Sequence, residues 1–486
     1  MIGSSTSPPF GVVLGAHRER EGTREDAADI DAIAATDAPS PFVFEAAGST
    51  CFAWFHAPRI PARGVGVVLC RPIGYEAMCT SQTYALLALR MASEGFAVLR
   101  FDYPGTGDSS GNDAQPDRVK AWQEGIIRAV AEVRRLGRVS SVALVGVRLG
   151  ATLAAKAACE LGGVDSLVMW APCTTGRSFA RELRTANASR GVMPDEGVAE
   201  GDMEALGYLY TAQTLADFDR LDATDLPTAP AHHALIIGRD DMPAEGPLPA
   251  RYRELGVAAE YCEWPGYAAM MNEPHKAVLD PHIVGHITNW LCRAHPARGT
   301  QGSSGPALPT AIEFLDGDVR ESPIGFGPGQ SLFGILSEPL RVAGDDAGAD
   351  FAVVMINVGA NTHIGPNRLY TRVARELASN GYRCFRMDLT GMGDSRPDLG
   401  FSNDRLFSDA STADARAAID MLSARGVRRF YLLGICSGSF VAFQTALADP
   451  RVIGQVLMNA RLLEKRKGER AATWDNLMQE HYKSTH

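Results

Sequence analysis

The sequence lacks a long hydrophobic run, a basic charge balance and paired cysteines. In its 486 residues no apolar stretch approaches the roughly 20 residues that a membrane-spanning helix needs. The formal net charge is −10, which argues against nucleic acid as a main partner. The nine cysteines lie singly, without a CxxC pair or a His/Cys cluster. This pattern favours the reduced thiols of a cytoplasmic protein, and no metal or organic cofactor is implied.

Length and composition predict two domains. A chain of 486 residues exceeds one ordinary domain, and a hydrophobic content of 45% is ample for two cores. Residues 1–40 are rich in Ser, Pro, Ala, Asp and Glu, which predicts a disordered tail. Residues 296–310 have the composition of a linker. We therefore expect domains over residues 41–295 and 311–486.

The first of these regions alternates apolar strands with helical patterns. Gly66–Cys70 is a fully apolar strand of the kind found in buried parallel sheets. The alternation predicts a mostly parallel sheet covered by helices. Residues from about 174 to 229 interrupt it with helical patterns of mixed polarity, where a cap over an active site is usually inserted. The alternation resumes at His233–Gly238.

The stretch that organises the chain is Gly434–Gly438, with Cys436 at its centre. It lies between an apolar strand pattern and a helical pattern, which is the form of a nucleophile elbow. The flanking glycines are needed because a side chain there would collide with backbone on so sharp a turn. Gly146–Gly150 repeats this arrangement around Arg148, which cannot act as a nucleophile.

A glycine turn is repeated together with the elbow. Asp102 and Asp388 both belong to the pattern Arg-x-Asp-x-x-Gly-x-Gly-Asp-Ser, which we interpret as a structural turn because it lacks the residues of a phosphate loop. These aspartates are 286 positions apart and the elbow centres 288, so we interpret the two halves as homologous units. The same offset places counterparts of Asp241 and His275 beyond residue 486. The second unit is therefore predicted to lack its last two strands.

Both units resemble the α/β-hydrolase superfamily, in particular its serine-aminopeptidase-like and esterase- or thioesterase-like branch. The resemblance is carried by the two elbows and the two glycine turns, and it covers the whole fold of the first unit and about the first two thirds of the second. It implies tandem α/β-hydrolase folds, each a mostly parallel sheet covered by helices, with a helical cap insertion. Cysteine at the elbow is similar to dienelactone hydrolases and to some cysteine-type thioesterases.

The chemistry expected of Cys436 is attack of its thiolate on an ester, thioester or lactone carbonyl. The amide dipoles at a helix N-terminus favour the thiolate. The oxyanion would be held by the amide of Ser437 and by one near Gly359 and Ala360. The alternative is an inert, buried cysteine in a decayed elbow. Ser437 becomes the nucleophile only if the register shifts by one residue.

The sequence does not identify a general base that would activate Cys436. The second unit offers His363, His481 and His486. His363 lies in the oxyanion-side loop and could approach Cys436, but the interpretation we favour is a solvated loop histidine. His481 and His486 belong to the final segment, which we expect to be frayed.

The first unit retains candidates for an acid and a base. Asp241 occupies the acid position, and His275 is the histidine nearest to the base position. They form an acid–base pair or, as we favour, are relics beside Arg148. Arg148 is expected to pair with Asp241 or Asp102 or to bind a substrate carboxylate or phosphate, structural pairing being the favoured role.

The sequence predicts two alternative functions. The first is hydrolysis or acyl transfer on a small-molecule acyl substrate through Cys436. The second is a non-catalytic pseudo-hydrolase that binds an acyl ligand or a partner protein in its capped cleft. A homodimer or a partner hydrolase is a further prediction, because a short second sheet leaves an open edge.

Overall fold

The computed structural model describes residues 39–59, 61–189, 198–241, 246–274, 276–297, 313–340, 350–396 and 406–460. The described part of the chain forms seventeen strands: β1 Ser40–Ala46, β2 Ser49–His56, β3 Val65–Cys70, β4 Ala97–Phe101, β5 Ser141–Val147, β6 Ser166–Trp170, β7 Met203–Ala205, β8 Tyr208–Tyr210, β9 His233–Arg239, β10 Ala258–Trp264, β11 Phe314–Asp316, β12 Val319–Phe326, β13 Leu332–Pro339, β14 Phe351–Ile356, β15 Arg383–Asp388, β16 Arg429–Ile435 and β17 Val452–Met458.

The same residues form twelve α-helices: α1 Tyr75–Cys79, α2 Ser81–Ser93, α3 Arg118–Gly137, α4 Leu149–Leu161, α5 Gly176–Ser189, α6 Ala212–Phe218, α7 Leu248–Glu254, α8 Tyr267–Met270, α9 Pro281–Ala294, α10 Leu369–Ser379, α11 Asp409–Ala424 and α12 Ser437–Ala448. None of the helices in these ranges is both long enough and apolar enough to cross a membrane.

The first sheet has eight strands in the order β1-β2-β4-β3-β5-β6-β9-β10. The pairs β1–β2 and β2–β4 are antiparallel, and the remaining pairs are parallel. All six residues of β3 are buried, which is why this strand is apolar without alternation. Helices cover the sheet, and a buried apolar cluster lies on each of its faces. The prediction of a mostly parallel, helix-covered sheet is confirmed for this half.

The segment between β6 and β9 carries the helices α5 and α6 and an antiparallel hairpin of β7 and β8. The sequence patterns predicted helices here and missed the hairpin. Its strands are only three residues long, which is too short for alternation to be visible. Tyr210 and Phe218 from this segment pack into the core of the first sheet.

The second sheet has seven strands in the order β11-β12-β13-β15-β14-β16-β17. The antiparallel pairs run from β11 to β15, and β15, β14, β16 and β17 pair in parallel. In the described residues this sheet is therefore mixed, and the prediction of a mostly parallel sheet is wrong for the second half. From β12 onward, this order and these directions repeat those of β1-β2-β4-β3-β5-β6 in the first sheet. Strands β11 to β13 were not recognised in the sequence, where Pro323, Gly325 and Gly327 interrupt the β pattern.

The two sheets pack against each other through aromatic side chains of β2 and β13. Trp54 and Phe333 have ring centroids 4.8 Å apart and meet edge to face. Phe52, Phe314 and Ile335 complete this buried cluster. The contact brings the glycine turn after β4 next to the one after β15.

Candidate functional site

The elbow after β16 holds Cys436 in a strained backbone conformation. Its φ and ψ angles are 54° and −115°, a region that residues other than glycine rarely occupy. The Cys436 amide donates to the carbonyl of Met458 at 2.9 Å, and the Ser439 amide donates to the carbonyl of Cys436 at 3.1 Å. Arg148 has the same geometry after β5, with φ 56° and ψ −128°. Both sequence-predicted elbows therefore have the geometry of a sharp strand-to-helix turn.

The glycines of the Cys436 elbow are required by close backbone approach. A Cβ added to Gly434 would lie 2.2 Å from the carbonyl oxygen of Gly438. A Cβ added to Gly438 would lie 2.7 Å from the carbonyl oxygen of Asn357. Relieving either contact would require the backbone to move, so the expected mechanical role of both glycines is confirmed.

Cys436 is half-buried, and α12 begins directly after it at Ser437. The Ser437 hydroxyl accepts a hydrogen bond from the Gly359 amide at 2.8 Å. The structure therefore brings Gly359 to the elbow, but an oxyanion would have to displace this hydroxyl to reach its amide. Ala360 follows in the same loop and is buried.

His363 is completely buried and bound on both sides by carboxylates. Its Nδ1 lies 2.6 Å from Oδ2 of Asp388, and its Nε2 lies 2.7 Å from Oδ2 of Asp108. Burial lowers its pKa, but the two carboxylates raise it more, so that the pKa of His363 lies well above its usual value. The interpretation as a solvated loop histidine is wrong. Because both ring nitrogens are engaged, His363 cannot accept a proton from Cys436.

The sequence missed this role because the partners of His363 come from both halves of the chain. Asp388 ends β15, whereas Asp108 belongs to the glycine turn of the first sheet. The signal that could have found it is the repeated Gly-Asp-Ser sequence, whose aspartate has no place in the elbow chemistry. His481 and His486 lie outside the described residues.

Arg148 is buried in an ionic cluster at the first elbow. Its side chain is 2% exposed, its Nε donates to Oε1 of Glu76 at 2.8 Å, and its Nη2 contacts Glu182. Its guanidinium also lies over the ring of Tyr267, 5.6 Å from the centroid. Burial lowers the pKa of Arg148, but the surrounding acidic groups raise it by more than burial lowers it. Arg148 therefore stays charged. The predicted pairing of Arg148 with Asp241 or Asp102 is wrong, because Glu76 and Glu182 neutralise its guanidinium.

Asp241 is bound by a different arginine. Arg239 donates from Nε and Nη2 to the two carboxylate oxygens of Asp241, each at 2.7 Å. The hydrogen bonds from Arg239 lower the pKa of Asp241. Arg239 also contacts Glu182 at 2.9 Å, which links Asp241 to the Arg148 cluster. His275 lies outside the described residues, so the predicted Asp241–His275 pair stays a prediction.

The two glycine turns have the same internal structure. Asp388 accepts a hydrogen bond from the Asp394 amide at 2.9 Å, and Asp102 accepts one from the Asp108 amide at 3.0 Å. The serine that follows donates to the carbonyl of the first aspartate in both turns. The interpretation of both motifs as structural turns is confirmed.

One group of side chains in the described ranges is compact enough to share a metal ion. It consists of His363, Asp388 and Asp394. His363 already joins two carboxylates, and Arg100 lies 2.6 Å from Asp394. Protein cations thus neutralise these carboxylates, which makes the group an ion-pair network rather than an open donor set.

Several solved structures are similar to about half of this chain. Est1E from Butyrivibrio proteoclasticus, with ferulic acid bound, is 15% identical, covers 52% of this chain and 98% of its own, and has a TM-score of 0.42. XC6422 from Xanthomonas campestris, a serine hydrolase without a lid, is 18% identical, covers 54% and 96%, and has a TM-score of 0.37. Proline iminopeptidase of Mycobacterium smegmatis is 13% identical, covers 53% and 99%, and has a TM-score of 0.37.

No curated protein matches the sequence. The family model of the serine aminopeptidases, S33, matches residues 77–198 and 348–485. The first segment contains the elbow of Arg148 and the second that of Cys436. Because the two segments make up more than half of the chain, the protein belongs to this family of α/β serine hydrolases.

Proposed function

We propose that the protein hydrolyses or transfers the acyl group of an ester, thioester or lactone, with Cys436 as its nucleophile. The observation that carries this proposal is the contrast between the two elbows. Cys436 is half-buried at the start of α12 in the strained conformation of a nucleophile. Arg148 has the same backbone but is buried and held by Glu76 and Glu182.

The proposed reaction begins with attack of the Cys436 thiolate on the substrate carbonyl. A carbon–sulfur bond forms, and the charge on the carbonyl oxygen falls next to the first amides of α12, beginning with Ser437. Collapse of this intermediate expels the alcohol or thiol, which takes up a proton. Water then hydrolyses the acyl-enzyme, or a second alcohol or thiol accepts the acyl group.

The position of His363 determines which step we expect to be slow. Cysteine is ionised in part at neutral pH and can attack without a strong base. Water is a poor nucleophile and needs one, and His363 is not available because two carboxylates bind its ring. The proposed enzyme therefore accumulates its acyl intermediate.

We also propose that the chain is a tandem of α/β-hydrolase units over residues 41–295 and 311–486, with a cap at about 174–229 in the first. The shared strand order, the two elbows and the two glycine turns support this division. In the described residues, β17 exposes Ile453, Val456 and Met458. This apolar edge supports the predicted association with a second copy or a partner hydrolase.

The alternative function is binding of an acyl ligand without catalysis. It is favoured by the Arg148 cluster, in which Glu76 and Glu182 neutralise the residue at the nucleophile position. It is also favoured by the engagement of His363, which leaves Cys436 without that base.

Burst kinetics with p-nitrophenyl butyrate separate the two functions. The enzyme proposal predicts a rapid release of about one p-nitrophenolate per protein, followed by slow turnover, and loss of this burst in Cys436→Ala. Cys262→Ala is the matched control, because Cys262 is also a half-buried thiol. A burst that survives in Cys436→Ala, or none in the folded wild-type protein, contradicts the proposal.

A further inference from the structure

A cleft lies between the two sheets. Its cavity volume is about 80 Å³, and it is partly open to solvent. The first half contributes the loop 71–74, the turn 102–107, Arg118 at the start of α3 and the hairpin residues 208–210. The second half contributes residues from the segment 362–372. Neither Arg148 nor Cys436 lines it, so the cleft is a separate feature completed by both halves.

The cleft has an excess of positive charge. Its lining contains four arginines and two aspartates: Arg71, Arg118, Arg368, Arg372, Asp102 and Asp113. Two of the arginines have structural roles. Arg71 pairs with Asp102, and Arg368 donates to backbone carbonyls of the glycine turn, including Gly107 at 2.8 Å. Arg118, Arg372 and Asp113 are the remaining charges, so the cleft keeps an excess of positive charge that favours anions.

Arg118 is a buried cation that forms no ion pair in the described part of the chain. It is 6% exposed, and its guanidinium lies over the ring of Trp122, 4.9 Å from the centroid. Its Nη1 donates to the carbonyl of Leu209 at 3.1 Å, but its Nε has no hydrogen-bond partner among the described residues. Asp113 lies close enough to favour the charge of Arg118 but forms no ion pair with it among the described residues. A buried charge in this state is costly unless a ligand supplies the missing acceptor.

Tyr210 adds a second unsatisfied donor to the same cleft. Its side chain is 1% exposed, and its hydroxyl has no partner among the described residues. The lining also includes apolar side chains, among them Ile73, Met78 and Ile364. The cleft thus combines unsatisfied donors with an apolar wall, which is the usual composition of a small-molecule site.

We propose that this cleft binds an organic anion whose apolar body carries a carboxylate or a phosphate. Arg118 makes the charge-assisted contact with the anionic head, and the Tyr210 hydroxyl donates to it as well. The apolar body lies against Ile73 and Ile364. Binding does not require Cys436, so this proposal can be tested independently of the proposed catalysis.

Isothermal titration of the full chain with octanoate, octyl phosphate and octanol tests the site. We expect saturable binding of at least one of the two anions, and the tighter of them identifies the head group. Octanol, which has the same apolar body without the charge, is expected to bind at least tenfold more weakly. Absence of saturable binding by both anions, or equal binding of octanol, would overturn the proposal.

Substitutions locate the binding. Arg118→Gln is expected to weaken binding of the preferred anion at least tenfold, whereas Arg128→Gln, which changes an exposed arginine of the same helix, is expected to leave it unchanged. Unchanged binding in a folded Arg118→Gln variant would overturn the assignment. If that variant does not fold, Tyr210→Phe removes only one hydroxyl, and we expect a several-fold loss. Wild-type affinity in Tyr210→Phe would then be the contradicting result.

Discussion

Arg386 Nη1 lies 2.6 Å from Oδ1 of Asp108, and Arg100 Nη2 repeats this contact with Asp394, also at 2.6 Å. Each pair joins an arginine of one half to the glycine turn of the other. The four residues occupy equivalent positions of the repeated Arg-x-Asp-x-x-Gly-x-Gly-Asp-Ser pattern. The halves thus contact each other reciprocally, as two copies do across a two-fold axis. The repeated turn therefore joins the two halves as well as shaping each of them.

Asp108→Asn is expected to destabilise the protein strongly. The substitution leaves the buried cations of Arg386 and His363 without one of their carboxylates, and breaking a buried pair in this way costs about 3–5 kcal/mol. Urea unfolding measures the loss. Arg177→Gln is the control, because the Arg177–Asp219 pair is exposed and its removal is expected to leave the midpoint unchanged. Equal midpoints for Asp108→Asn and wild type would show that the network does not stabilise the fold.

The raised pKa of His363 predicts a stability that falls as the pH rises. Burial lowers this pKa, but Asp388 and Asp108 raise it more, to well above the value of about 6.5 expected in the unfolded chain. The contribution is fully present below about pH 6.5 and is lost as the pH rises through the folded-state pKa. Above pH 6.5, the wild type should lose up to about 1.4 kcal/mol per pH unit relative to His363→Gln.

Denaturant unfolding of both proteins from pH 6 to pH 9 gives this difference, and nuclear magnetic resonance of the His363 ring is an independent check. We expect the ring in the folded wild type to stay protonated above its usual pKa of about 6.5. A ring that titrates near its usual pKa would refute the assigned ion pairs.

Gly438→Ala is expected to disrupt the elbow. The added methyl group would lie 2.7 Å from the carbonyl oxygen of Asn357, and such overpacking costs about 1–3 kcal/mol. Gly285→Ala is a matched control in the interior of α9, where an added Cβ meets nothing within 4 Å. That control should gain up to about 1 kcal/mol from helix propensity. Thermal unfolding of the two variants should therefore move in opposite directions, and a shared direction would refute the close approach.

Iodoacetamide near neutral pH is expected to modify Cys436 first. Cys159, Cys262 and Cys292 are also half-buried, but burial raises the pKa of each of these thiols. Cys436 lies instead on the strained turn directly before α12, so we expect it to be the most reactive of these half-buried thiols. Peptide mapping by mass spectrometry gives the order of modification. Labelling of Cys436 no faster than of Cys262 would favour an inert elbow.

The sequence was sufficient where structure is set locally. The elbows around Arg148 and Cys436 and the turns after Asp102 and Asp388 were recognised because tight backbone approach restricts which residues fit. These features depend on neighbours a few positions away.

The ion-pair partners could not be predicted, because the packing of distant segments chooses them. Glu76 and Glu182 are 72 and 34 positions from Arg148, and Asp108 is 255 positions from His363. No period or spacing in the sequence connects such residues. For the same reason, the cleft around Arg118 became visible only with both halves in place.

Intact mass spectrometry after mixing the protein with p-nitrophenyl butyrate is the decisive test of Cys436 as the nucleophile. We expect one butyryl adduct per chain in the wild type and none in Cys436→Ala, because the thiol of Cys436 forms the acyl-enzyme. Cys262→Ala should retain the adduct. A folded wild-type protein without an adduct, or an adduct that persists in Cys436→Ala, would contradict the assignment of Cys436 as the nucleophile.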